Sequence, residues 1–175
     1  MAIYEAIKTT YLEANAANVE WTSIPSTYEN LSISISARTT GTSQKSIELQ
    51  LGTGGGAVDT GLNYSTNVMY FIATTAYGSN TAADTKMMFY YFLPASNSVA
   101  EAYGTATIDL YDYANTNKNT QIGSCEGKSG SVAQRVAFTM GTWNNTGAVD
   151  RIKLTGQTDD FRRGSVFTLY GVKSS

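Results

Sequence analysis

An all-β fold is predicted for this chain, a two-sheet antiparallel sandwich of jelly-roll type with eight to ten strands. Three observations in its 175 residues carry that expectation. Apolar and polar residues alternate with a period of two from end to end, turn-forming residues interrupt the alternation at short intervals, and no stretch of ten or more residues keeps helical spacing.

The best helix candidate is the opening "YEAIKTTYLEANAA". Its β-branched content and the recurrence of Ile3, Ile7 and Tyr11 favour one or two extended strands instead. Next, "LSISISAR" places Leu31, Ile33, Ile35 and Ala37 on one face and Ser32, Ser34, Ser36 and Arg38 on the other, a strand with one face buried. "SIELQL" repeats the pattern with Ile47, Leu49 and Leu51 against Ser46, Glu48 and Gln50, and "RVAFTM" points Val136, Phe138 and Met140 inward. "VMYFIA" and "KMMFYYFL" are apolar on both faces, as in strands covered twice, by the second sheet and a loop or by another subunit. Two alternating runs, Arg151 to Leu154 and Ser165 to Val172, close the chain around a polar stretch with Gly156 and Gly164. Between strands lie Pro25, "LGTGGGAVDTG", "YGSNTAAD", Pro94, "DYANTNKNT", "GKSGS" and "WNNTGA". One domain spanning residues 1–175 is expected, with no internal repeat and no linker.

Apolar residues make up 42% of the chain and charged residues only 15%, against roughly 25% in an average soluble protein. A surface rich in Thr, Ser, Asn and Tyr suits broad packing against neighbours, and an ordinary all-β domain accounts for it equally well. The net charge of -2 and scattered basic residues, with Arg162 and Arg163 the one adjacent pair, argue against binding a nucleic acid backbone. The single cysteine, Cys125, rules out an intrachain disulfide. Glu5, Lys8 and Glu13 interrupt any signal-peptide core, and the longest apolar run, Met87 to Leu93, is far short of a membrane-spanning helix. The expectation is a soluble protein made in a cytoplasm, with no membrane partner.

Histidine is absent, which removes imidazole-based triads and the commonest metal ligand. Cys125 lies in "IGSCEGKSG", where "GKS" resembles the end of a phosphate-binding loop, but Ile122 stands where the first glycine belongs, so the stretch reads as a turn. "GTGGGAVDTG" lacks the lysine such a loop needs and reads as a long flexible loop. Glu48 with Asp109 or Glu101 is the formal candidate for a two-carboxylate glycosidase, and Asp159 with Asp160 for part of a calcium site. Nothing in the spacing pairs these groups, so no enzyme, no cofactor, no metal and no catalytic residue is expected. The positive signal is aromatic: twelve tyrosines and two tryptophans. Tyr64, Tyr70, Tyr77, Tyr103, Tyr111 and Tyr113 fall in or beside loops and strand ends, where rings serve protein interfaces or stack on sugars, and some must be core.

Read in order, "YEAIKTT", "VEWTSIPSTYENLSISISART", "GLNYS", "AYGTATIDLYDYANTNKNTQI" and "RIKLTGQTDDFRRGSVFTLYGV" resemble a β-sandwich module of tailed-bacteriophage virion proteins. The correspondence runs through Ile24 to Tyr28, Ala37-Arg38, Ile108 to Tyr113, Asn115 to Lys118 and Ser165 to Gly171, and departs from the family pattern at "GTGGGAVDTG". The resemblance implies a virion structural protein: either a capsid decoration (cement) protein on the outer head surface or a tail-fibre tip. Residues 1–20 already resemble the module's first strand and the last strand stops at Ser175, which favours the decoration protein. Its partners would be the major capsid protein and further copies of itself, a trimer favoured. The alternative is a carbohydrate-binding module, on a tail or the head, that holds a host-surface glycan through loop tyrosines and Trp143.

Overall fold

In a computed structural model, which describes residues 2–128 and 134–174, the chain forms twelve strands and no helix among the described residues. They are β1 (Ala2–Tyr11), β2 (Asn18–Trp21), β3 (Asn30–Ala37), β4 (Lys45–Thr53), β5 (Tyr64–Ile72), β6 (Thr75–Asp84), β7 (Met87–Leu93), β8 (Gly104–Tyr111), β9 (Thr120–Lys128), β10 (Arg135–Trp143), β11 (Val149–Thr155) and β12 (Val166–Ser174). Eight make one sheet, in the order β1-β12-β3-β8-β9-β10-β5-β6, and four make the other, β2-β11-β4-β7, with every pairing antiparallel. The all-β sandwich expected from the alternation is the fold observed.

In β3 and β4 the inward residues are those the period marks. Leu31, Ile33, Ile35 and Ala37 of β3 meet Ile47, Leu49 and Leu51 of β4 in one core with Ile108, Leu110, Ile122, Ile152, Leu154, Phe167 and Leu169. Trp21 joins the sheets at one flank, its Nε1 donating to Thr10 Oγ1 at 3.2 Å. The opening segment, Tyr4 to Ala17, supplies most of β1, extended as its β-branched residues predict, and β2 begins just beyond it at Asn18.

Four of the five segments that carry the sequence resemblance hold one another. The Tyr28 ring lies against Gly171, where an added Cβ would stand 2.3 Å from the ring. Tyr113 donates its hydroxyl proton to the Pro25 carbonyl. Ser165 Oγ accepts from the Arg38 backbone N–H at 3.2 Å.

Several expectations need correction. "YGSNTAAD" is strand β6 rather than punctuation, and "IGSCEGK" is strand β9 rather than a turn; the remainder of "GKSGS" falls within 129–133, outside the described residues. These account for part of the excess over eight to ten strands. Val136, Phe138 and Met140 point outward, because β10 is sheltered by β7 on the face that carries Ala137, Thr139 and Arg135. Arg38 is 1% exposed rather than solvated. Its Nη1 donates to the carbonyls of Val99 and Ala102 and its Nη2 to those of Ala95, Ser96 and Ser98, at 2.9–3.3 Å. One guanidinium thereby organises the whole 94–103 connection between β7 and β8.

The sheets differ in width, and that difference creates the site. β7, at the free edge of the small sheet, lies over β8, β9, β10 and β5. β6 extends past this cover, with nearly all its residues exposed.

Candidate functional site

At that overhang the inner faces of β9, β10, β5 and β6 run out from under the core. Register places Lys128, Arg135, Ile72 and Thr75 in one row and Glu126, Ala137, Tyr70 and Tyr77 in the next. Above them, the β4–β7 pairing shifts between Lys45 and Ile47, and Tyr91 takes the left-handed region at φ 48°, its N–H donating to Ser46 Oγ at 3.0 Å. Adjacent strand residues ordinarily point to opposite faces. This irregularity brings the rings of both Tyr90 and Tyr91 to the same side, at a backbone cost on the order of 1 kcal/mol.

The result is a run of four tyrosines. Tyr70 stacks on Tyr77 with centroids 5.2 Å apart and on Tyr90 at 6.3 Å, and Tyr90 meets Tyr91 edge-on at 6.1 Å. The Arg135 guanidinium lies between Tyr70 and Tyr91, 4.5 and 5.1 Å from their centroids, a distance at which ring faces attract a cation. Tyr77 and Tyr91 remain 44% and 39% exposed, so ring surface faces solvent.

Beneath the rings the interior is polar where a sandwich core is ordinarily apolar. Glu126, Lys128 and Arg135 are all buried. Burial pushes the Glu126 carboxyl above its ordinary range, and Ser124 Oγ donates to it. Burial, then the like charge of Arg135, lowers the Lys128 ammonium to about 8.

The other sequence candidates separate. Tyr64 is core: its hydroxyl accepts from the Leu51 N–H at 2.9 Å, donates to the Asp59 carbonyl at 3.2 Å, and burial drives its pKa strongly upward. Trp143, expected in a glycan-holding loop, is wholly buried and stacks near Tyr64 at 6.4 Å, its Nε1 donating to Asp59 Oδ2 at 2.8 Å. Burial opposes the charge of Asp59, but hydrogen bonds from Trp143, Asn63 and Gly61 outweigh it and hold that carboxyl below its usual range. The loop from Gly54 to Asn63 is thus tied down at Asp59, rather than flexible throughout. Tyr113 is also core, Tyr103 donates to the Arg163 carbonyl, and Tyr111 is exposed on the outer face of β8, its ring beside Gly123 and Met140. Only Tyr70 and Tyr77 of the six enter the cleft. Nothing in the sequence joins Tyr90, Tyr91 and Arg135, because the strand register brings Arg135 beside Tyr70 and the β4–β7 irregularity brings Tyr91 over it.

The carboxylate candidates do not converge. Glu48 lies on the outer face of the small sheet, paired with Lys86 at 2.8 Å, and Asp109 on the outer face of the large sheet, accepting from Ser32 at 2.6 Å. Glu101 pairs with Arg162 at 3.7 Å and Asp159 with Lys45 at 3.1 Å. Among the described residues no three Cys, Asp or Glu side chains gather as metal ligands.

The outer face of the large sheet is a second feature. Phe138 pairs with Met69 and Val136 with Phe71, and these four with Met140 are 36–54% exposed. The outward residues of β10 and β5 carry no charge. A groove of about 410 Å³ crosses the same face past Asn67, Asn80, Gln121 and Met140, without an aromatic ring in its lining.

No protein-family model matches the chain, and no curated protein matches it. Solved structures with a similar arrangement include a single mutant of congerin II, 14% identical over 89% of this chain and 98% of that one, with a TM-score of 0.37. Caenorhabditis elegans galectin LEC-6 is 8% identical over 95% and 96% of the two chains, at a TM-score of 0.37. The Ruminococcus gnavus IT-sialidase CBM40, bound to alpha2,3 sialyllactose, is 12% identical over 97% and 92%, at 0.31. The class defined by the strands themselves is an antiparallel β-sandwich of jelly-roll-like form.

Proposed function

We propose that this chain is a non-catalytic saccharide-binding protein, and that the tyrosine cleft between β6 and β7 is its site. The observation that carries the reading is the set of Tyr70, Tyr77, Tyr90 and Tyr91 at the rim of the narrow sheet, with ring surface left open. Sugar rings present patches of C–H groups that lie flat on aromatic faces, while tyrosine hydroxyls remain free to bond the ring oxygens. A scaffold of two sheets holds these rings in place, and the carboxylate candidates for cleaving a glycosidic bond, Glu48, Asp109 and Glu101, lie apart from one another.

A saccharide array probed with the purified chain tests this. Binding to a subset of glycans, weakened about tenfold or more in Tyr77→Ala, is expected. Absence of binding to any saccharide overturns it.

Attachment to a larger assembly is favoured by a separate observation, the uncharged apolar face of Met69, Phe71, Val136, Phe138 and Met140. Exposed apolar area of this kind marks surfaces that another protein covers. A capsid decoration protein on a virion surface, bound to the major capsid protein, is the form of this reading that the phage-like segments suggest. Co-sedimentation with empty capsids, lost in Phe138→Lys, supports it; a chain that stays in the supernatant sinks it.

A further inference from the structure

We infer that the Lys128 and Arg135 end of the cleft is an anion subsite that takes the carboxylate of an acidic sugar; this rests on the saccharide reading above. Lys128 and Arg135 are direct partners across β9 and β10, and they are only 6% and 8% exposed. Arg135 is repelled by its cationic neighbour and forfeits hydration in so dry a place, which calls for a negative charge near its guanidinium.

The described residues do not give Arg135 one. None of the ion pairs involves it, and its Nε and Nη1 are buried without a hydrogen-bond partner. The connection from β9 to β10, residues 129–133, reads Ser-Gly-Ser-Val-Ala and contains no acid. Glu126 is the nearest carboxyl in the register, opposite Ala137, and its burial favours the neutral form. Tyrosine rings lie on both sides of the guanidinium, and neither supplies a hydrogen-bond acceptor to its buried Nε or Nη1.

A cavity of about 270 Å³ opens at this end of the sheet, lined by Lys128 and Arg135 with Phe71, Ala73, Gln134 and Val136. A guanidinium presents parallel N–H donors that match the two oxygens of a carboxylate. A uronic acid residue entering here would set its carboxylate against Arg135 and Lys128 with its ring beside Phe71 and Val136 at the mouth, and the next ring along would have to pass the end of the sheet to reach the tyrosines. A neutral sugar could use the rings alone.

The test is an array in which acidic oligosaccharides, uronates among them, are each paired with the methyl-esterified form, with sulfated saccharides as a further arm. At least about tenfold tighter binding of an acid than of its ester is expected, the worth of a charge-assisted hydrogen bond. In Arg135→Met the two forms bind alike, with thermal melting confirming that the variant is folded. Equal binding of acid and ester by the unaltered chain overturns the subsite and leaves the saccharide reading standing. Binding of nothing on the array overturns both. Sulfated sugars binding as tightly as uronates overturn the assignment to carboxylate.

Discussion

Two buried arginines, Arg38 and Arg135, show how the same side chain can serve opposite ends. Both are less than a tenth exposed. Arg38 spends both terminal nitrogens on five backbone carbonyls of the 94–103 connection, leaving only Nε without a partner. Arg135 has rings against it and two nitrogens unpartnered. The first is a structural pin, because the loop carbonyls would otherwise be unsatisfied. The second holds donors in reserve, in a place where water cannot readily satisfy them.

The comparison breaks most sharply at Arg38. Arg38→Met strands several carbonyls, and a loss of about 3 kcal/mol or more is expected in denaturant unfolding; a loss under about 1 kcal/mol would show that the loop holds itself. Arg135→Met, by contrast, removes an uncompensated buried charge and is expected to leave stability within about 1 kcal/mol of the parent or raise it. A large destabilisation there would make Arg135 a pin as well.

Glu126 sharpens the picture of the interior beneath Arg135. Its folded-state pKa lies above the ordinary 4.5, so the folded chain keeps a proton that the unfolded chain gives up. Stability from the neutral form is full below about pH 4.5 and is lost as pH rises through the folded value. Glu126→Gln should flatten that decline between acidic and neutral pH, seen as melting temperatures that differ less between pH 4 and pH 7 than those of the parent. The smallest effect on stability belongs to Tyr77→Ala on the exposed edge strand, within about 0.5 kcal/mol, while the proposed saccharide binding is expected to fall. A collapse of stability in that variant would mean that the ring is a sheet anchor.

Much of the fold is legible in the chain because alternation fixes which residues of a strand share a face. Leu31, Ile33 and Ile35 declare their side in the sequence, and Pro25 and the Asn-rich "DYANTNKNT" declare their turns. The site was legible only in outline. An abundance of tyrosine pointed to ring-based recognition, but Tyr64, Tyr113 and Trp143 look the same in sequence as Tyr70 and Tyr77. What separates them is whether a second sheet lies above: β7 reaches as far as β5 and stops short of β6.

The sequence by itself determined that this protein is a sandwich of alternating strands and which faces of strands such as β3 and β4 turn inward, but not the face of β10. Only the tertiary structure decided which rings stay open and which arginine is saturated. The physical reason is that period-two patterning assigns each side chain a face, while the width of the opposing sheet and one bulge at Tyr91 decide what that face meets.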